Sequence, residues 1–566
     1  MNISFMGCKK GIIEQIGALQ SQAKTVMSDT AVHVDERIER VADIYRQAEK
    51  LANENDLEDQ MKESLLVNSA RFFAEYGKYK EALSRFTLLV TLRESLYGME
   101  HSVTATAYHD FGEVCRILCD YPKALDYNQK ALDIRSRVYG EKHAETATSY
   151  NDTGLVYFFL GDYDKALELI SKAKAIREEV VGNNHVDMAE SYLSLGLLWF
   201  KQEDYSTAYE SYSNALTITE KILGTEDRKT AVAYYGIGLT DLFLAKCKDA
   251  VNNISKAKDI YEKTMGMHHP ETAMVYVGMG IIFSSVKGYS KALEYYTKSL
   301  EISKEAFGDE HINTAGSYCA LGLLKQDMGE LEEAVECLEK SLNINEKVLG
   351  LAHPDTADSY NTMGSYYYSQ DNIVKAYEYY VNAYEFYKMC PSSEFINNKI
   401  KEAKANMESL EYKEGEETVG TRDLFLETLT KIGCQYEIDP DEGYISFGYQ
   451  GENFVASATN DEWYVRIWDT YWGHVELYDV DEFSRLRKAV NHANLNCTTM
   501  TVYTINEEGK TVDVHCKSKF PFISQIPNLD DYLRNELGDF FNAHHFVGSE
   551  MAKLREQEQE DNTQAN

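Results

Sequence analysis

Val348-Leu349-Gly350-Leu351-Ala352-His353-Pro354-Asp355-Thr356-Ala357 joins two helical patterns, and its parts recur through the middle of the chain. Gly98, Gly140, Gly182, Gly224, Gly266, Gly308 and Gly350 stand 42 residues apart with no insertion between them. Counted from each glycine, Ala holds +7 from Ala105 to Ala357, Tyr holds +10 from Tyr108 to Tyr360, and a second Gly holds +14 from Gly112 to Gly364. Ala returns at +26, from Ala124 to Ala376, and only Ala or Ser occupies +33. Small residues at fixed places let helices approach closely, and a fixed period means one structural unit repeated.

Apolar positions follow a three-four spacing on either side of turns such as Gly161-Asp162-Tyr163 and Lys287-Gly288-Tyr289, so each unit reads as a helical hairpin. The linker glycine suits the left-handed conformation that closes a helix, and the prolines of His269-Pro270 and His353-Pro354 suit the first turn of the next. One hairpin buries little by itself. Stacking supplies the core, and the expected architecture is a right-handed α-solenoid of about eight hairpins.

These signatures resemble tetratricopeptide repeats, and the linker at 348–357 resembles that of the kinesin light chain class. The usual repeat has about 34 residues; the longer period here leaves room for roughly two more helical turns per unit. Eight units span 63–398, the first of them degenerate but keeping Tyr79 and Ala82. Residues 1–62 are expected to supply an N-terminal helical cap, with helical character over 31–57. Residues 399–420 read as a closing helix and a linker that is polar around Glu414–Thr418.

Beyond residue 420 the period changes. Thr421–Ile432 reads as a short helix. Strands are expected at Tyr444–Phe447, Phe454–Ser457, Tyr464–Trp468 and Val475–Tyr478, with turns at Asp441-Glu442-Gly443 and Asp461-Glu462. A helix at Asp481–Asn494 precedes strands Thr499–Thr504 and Thr511–Cys516, joined through Glu507-Glu508-Gly509-Lys510. A last helix starts near Asp530, and 549–566 form a charged tail. This order resembles the YbjN-like family over 421–548, whose fold is similar to type III secretion chaperones. The resemblance implies an α+β protein-binding module with an antiparallel sheet that tends to pair with itself, hence a possible homodimer.

The chain carries 57 basic and 92 acidic side chains, a formal net charge of −35, with 12 against 26 of them after residue 420. Such a surface repels phosphate backbones and anionic bilayers, so neither nucleic acid nor membrane is an expected partner. No apolar run is long enough to cross a bilayer. Phe5-Met6-Gly7-Cys8 has the outline of a lipoprotein cleavage site but lacks a basic stretch and a sufficient apolar run before it. The 10 cysteines show no paired spacing, which fits reduced thiols in a cytoplasmic protein, and Cys115 and Cys119 have no second pair with which to hold zinc. The 41 tyrosines fall mostly on repeat packing positions. The linker histidines His101, His143, His185, His269, His311 and His353 advance by one unit each and do not converge on an ion; Asp227 interrupts them, and tying linker to helix is the role they suggest. His474, His544 and His545 have acidic neighbours in sequence but no accompanying motif. No catalytic residue, cofactor or metal is expected.

In repeats of this kind the first helix lines the concave face. In the light-chain class, which the linker resembles, asparagines at its fifth and sixth positions hold a bound peptide backbone. Asn151 and Asn361 keep the fifth position here, His109, Leu193, Tyr235, Val277 and Cys319 occupy it elsewhere, and the sixth has no Asn. The middle repeats are apolar instead: Leu193, Leu197, Tyr235, Leu239, Val277 and Ile281 form a stripe that suits an amphipathic or aliphatic segment, or that belongs to the core between hairpins. Lys201 and Lys325 are too few to make a basic groove. The expected function is a non-enzymatic scaffold or adaptor that captures a segment of a protein partner. The alternatives are a regulatory sensor whose C-terminal domain binds a small ligand and, further off, an enzyme with its site in 421–548.

Overall fold

The structure, a computed structural model, describes residues 2–55, 57–410, 420–460, 464–470, 473–476, 478–496, 499–506, 510–522 and 528–564. The expected linker at Glu414–Thr418 and the turns at Asp461-Glu462 and Glu507–Gly509 lie outside them. Two compact units emerge: Met1–Tyr366 with Asn382–Ala403, and Tyr367–Val381 with Lys404–Asn566.

The first unit opens with α1 (Asn2–Ser28) and α2 (Val34–Glu54). Both lie within the 1–62 stretch; α2 covers most of the helical character expected over 31–57, and α1 is weakly amphipathic and without an acidic first turn to announce it. The hairpins follow as α3 (Asp59–Glu75) with α4 (Tyr79–Tyr97), α5 (Ser102–Ile117) with α6 (Tyr121–Tyr139), and α7 (Ala144–Phe159) with α8 (Tyr163–Val180). Next come α9 (Val186–Lys201) with α10 (Tyr205–Ile222), α11 (Arg228–Phe243) with α12 (Cys247–Thr264), and α13 (Pro270–Ser285) with α14 (Tyr289–Phe307). The run closes with α15 (Ile312–Met328), α16 (Leu331–Leu349), α17 (Pro354–Ser369), α18 (Ile373–Met389) and α19 (Glu394–Ser409).

Each consensus residue has a physical task. The second glycine lets a hairpin close: a Cβ on Gly112 would stand 2.3 Å from Asn128 Oδ1, and one on Gly238 would stand 2.5 Å from Ile254 Cγ1. The linker threonine ties helix end to helix start, since the Oγ–H groups of Thr104, Thr146, Thr230 and Thr314 donate to the carbonyl of the glycine six residues back, each at 2.8 Å. The consensus tyrosine is more than packing. The O–H of Tyr108 donates to Glu94 at 2.6 Å and that of Tyr276 to Glu262 at 2.9 Å, each glutamate lying on the preceding hairpin.

One glycine expectation needs correction. Gly98, Gly140, Gly308 and Gly350 have φ of 80° to 97° with ψ near 180° (162°, 164°, −174° and 174°), so the linker uses the extended, glycine-only region and not the left-handed helical one. The left-handed residue sits in the turn inside each hairpin. In Lys287-Gly288-Tyr289 it is Lys287, at φ 58°, while Gly288 has φ −78° and serves as the N-cap.

The second unit begins its α+β part with α20 (Thr421–Lys431), then β1 (Tyr436–Ile438), β2 (Ile445–Tyr449), β3 (Glu452–Ser457), β4 (Tyr464–Asp469) and β5 (Gly473–Glu476). After α21 (Val480–Asn496) come β6 (Met500–Asn506), β7 (Thr511–Pro521) and α22 (Leu529–Gln564). The sheet order is β1-β2-β3-β4-β7-β5, with β6 on the other side of β7, and every pairing is antiparallel. Phe425, Phe447, Phe454, Val465, Phe520, Leu537 and Phe540 bring α20, the sheet and α22 into one core. The segment 549–566, read as a charged tail, continues α22 as far as Gln564, and Met551 on it is buried against the α21 core.

Candidate functional site

Each first helix of the repeats touches the first helix of the next hairpin, from α5–α7 through α13–α15, and among the described residues no pair of second helices does so to the same extent. The first helices therefore line the concave face. On that face Leu193, Leu197, Tyr235, Leu239, Val277, Ile281 and Asn361 are half-buried, and Asn151 is fully buried. The apolar six pack between hairpins: Leu193 sits against Tyr212 and Ile237, Tyr235 and Leu239 against the Ile254 cluster, and Val277 and Ile281 against Tyr296 and Leu321. Tyr235 also donates its O–H to the Met274 carbonyl of the next hairpin at 2.8 Å. On the first helices, Leu323, in the column of Leu197, Leu239 and Ile281, is 44% exposed, and Met274, three residues before Val277, is 46% exposed.

Charge on this face is compensated internally. His109 Nδ1 lies 3.2 Å from Asp152, whose carboxyl is raised by burial. Burial opposes ionisation of Glu113, yet the guanidinium of Arg116 beside it holds the acid below its usual range. Lys201 is bonded at 2.5 Å to Asp355 and at 3.1 Å to Asp358; burial works against its charge, and the two carboxylates hold it well above the usual lysine range. Lys325 pairs with Glu330 and Glu333. Of these groups, a scan of charge at the fifth and sixth positions finds only His109 and Asp152.

One of these pairings, Lys201 with Asp358, spans 157 residues, because the solenoid coils back on itself. Six linker histidines cap helices as expected: in each, Nδ1 accepts the N–H two residues on, and Asp227 does the same job with its carboxylate, at 2.8 Å from Lys229 N. Since Nδ1 accepts, the proton sits on Nε2. From there His269 donates to Glu75 O at 3.0 Å, His311 to Ile117 O at 2.7 Å and His353 to Phe159 O at 3.0 Å. All three bonds span 194 residues, between four and five repeats, so they stitch one turn of the coil to the next. Tyr79 stacks on Phe307 at 5.5 Å along the same seam, Lys399 pairs with Glu203 at 2.6 Å, and Gly77 and Gly161 lie under Pro270 and Pro354. Desolvation pushes His269 and His311 down to about 4. They are neutral bridges at neutral pH.

The tetratricopeptide repeat family profile matches overlapping stretches from 62–136 through 313–389, more than half of the chain. No curated protein sequence matches it. Among solved structures, a Rap protein complexed with competence and sporulation factor is similar at 15% identity and TM-score 0.45, over 69% of this chain and 99% of that one. Aspartyl phosphate phosphatase F from Bacillus subtilis is similar at 16% and 0.39, over 66% and 93%. A putative kinesin light chain from Podosopora anserina with nearly identical repeats is similar at 20% and 0.29, over 36% and 97%. Among the described residues no helix is long and apolar enough to cross a membrane.

Proposed function

The chain belongs to the tetratricopeptide repeat family across residues 62–389, and from that premise we propose that it is a scaffold whose coiled repeats hold a segment of a protein partner on their concave face. Met274 and Leu323 carry this reading: both stand exposed on first-helix columns, above a half-buried floor that runs from Leu193 and Leu197 through Tyr235 and Leu239 to Val277 and Ile281. An amphipathic or aliphatic segment fits such a ledge, because its apolar side would cover two side chains already in water. The inner cations support the same choice. Lys201 and Lys325 are engaged by four carboxylates of this chain, which leaves little to attract an acidic ligand. The C-terminal α+β part serves in this reading as a second protein-binding module.

A photo-crosslinking amino acid at Met274 or Leu323, introduced in the native host, tests the reading. Val251 on the second helix α12, 42% exposed, is the control. A partner polypeptide captured at Met274 and Leu323 and absent at Val251 is the expected result. Capture at Val251 alone overturns it. The complex should also persist in high salt, since apolar burial is not screened.

A further inference from the structure

The α+β part holds a cluster that no short motif announces, because its members come from β4, β7 and α22. Asp469 ends β4, one step past the last β4–β7 pair, Trp468↔Lys517, which sets it beside Cys516. Thr501 of β6 faces Cys516 from the other side, with Oγ1 3.3 Å from Sγ. His544 of α22 reaches across to place Nε2 2.7 Å from Asp469 Oδ2. The same oxygen accepts the Cys516 N–H at 2.9 Å. One donor atom from each of Asp469, Cys516 and His544 lies within 4.8 Å of the others.

Two observations separate this cluster from a satisfied core network. Asp469 is 1% exposed, yet its Oδ1 has no hydrogen-bond partner among the described residues. A buried carboxylate oxygen left bare is costly, and a cation beside it removes the cost. In addition, a surface cavity of about 430 Å³ has Asp469, Cys516 and His515, though not His544, in its wall, so the cluster borders a cavity. His515 Nδ1 is 3.9 Å from that bare oxygen.

We propose that Asp469, Cys516 and His544 form a binding site for a divalent transition metal of the zinc class, with its fourth position opening on the cavity. A carboxylate, a thiolate and an imidazole are the donor types zinc takes, and three protein ligands with one open position are the pattern of a site that can bind a further small molecule. Tetrahedral bonds of 2.0–2.3 Å put donor atoms roughly 3.3–3.8 Å apart. The His544–Asp469 bond therefore has to open by about half an ångström, within side-chain rotation, and the other donor pairs start within 4.8 Å. Neighbours are in place to orient the ligands: Thr501 for the sulfur and the Cys516 N–H for the carboxylate.

The experiment uses the full chain, stripped with a chelator and titrated with Co2+ alone. One equivalent should bind with a thiolate-to-cobalt charge-transfer band and the visible bands of a tetrahedral ion. Cys516→Ser should abolish the charge-transfer band, and His544→Gln should weaken Co2+ binding at least about tenfold, with far-UV circular dichroism reporting that each variant is folded. Zn2+ should displace the cobalt and raise the melting temperature of the parent protein, because a ligand that binds only the folded state stabilises it. If Cys516→Ser fails to fold, the His544→Gln affinity decides. No charge-transfer band in the parent, or equal Co2+ affinity in the parent and His544→Gln, overturns the proposal.

Discussion

His311 illustrates how one side chain serves two ends of a structure. Its Nδ1 caps its own helix, its Nε2–H reaches a carbonyl 194 residues away, and its ring stacks on Phe307 at 3.9 Å. His143 occupies the same repeat position and caps its helix in the same way, but no bond to another turn of the coil is recorded for it among the described residues. Asn is as good a cap as any residue and is too short to keep the distant bond. His311→Asn should therefore cost about 1–3 kcal/mol, the penalty of a buried carbonyl left without its donor, while His143→Asn should stay within about 0.5 kcal/mol. Urea denaturation of both variants is the measurement, and equal losses would remove the seam as the cause. Gly238 tests a different contact. A valine there meets Ile254 Cγ1, Ile254 N and the Ala250 carbonyl, two of them backbone, so Gly238→Val should cost about 2–3 kcal/mol by overpacking.

At the scale of elements, the turn inside each hairpin places one residue at positive φ in every repeat: Gly77, Cys119, Gly161, Glu203, Ala245, Lys287, Gly329 and Asp371. Five of these eight are not glycine, and each bears the strain of a Cβ in that region. Lys287→Gly should stabilise the chain by about 0.4–1 kcal/mol. Gly161→Ala should do the reverse, because its Cβ would meet Pro354 Cδ at 2.4 Å in addition to the backbone strain. Thermal melts of the two variants should move in opposite directions. Most elements were legible because their cause is local: the linker glycines, the cap residues and the alternation of Ile445 to Phe447 act over a few residues. β1 escaped because it has three residues and only Tyr436 is even half-buried. β7 runs five residues past the expected end because it must serve β4 as well as β5 and β6. The seam was not legible at all. A 42-residue period states what each unit is, but the rotation from one unit to the next decides which residues meet 194 positions apart. The Asp469 cluster has the same cause, three elements converging only when the sheet and α22 have packed.

For the whole molecule, the three seam histidines of the repeat unit and the buried Glu536 of the second unit are shifted in opposite senses, and these groups push the two units towards opposite responses to pH. In the repeat unit, desolvation lowers His269 and His311 to about 4, with Glu271 opposing and Arg228 reinforcing the shift at His269, and Lys80 adding to it at His311; His353, near Asp355, Lys201 and Asp358, is lowered as well. Between the ordinary histidine value near 6.5 and about 4, the unfolded chain binds protons that the folded unit does not, so stability is lost as pH falls through that window. The slope is up to about 1.4 kcal/mol per pH unit for each histidine, and the three act on one seam. In the second unit burial raises Glu536 to about 8, assisted by Glu378 and Asp539, and Tyr532 hydrogen-bonds to Glu378. There the folded state holds the extra proton between about 4.5 and 8, so stability is lost as pH rises through that range. Differential scanning calorimetry from pH 4.5 to 8 should resolve two transitions that move towards opposite ends of the scale, one strengthening with pH and the other weakening. Glu536→Gln should flatten the second trend and leave the first alone, because an amide has no proton to lose over this range. The triple variant of His269, His311 and His353 to Asn should flatten the first alone. Two transitions that shift together across the range, or a Glu536→Gln variant whose second transition keeps its slope, would mean that these buried groups do not set the pH response of the units that contain them.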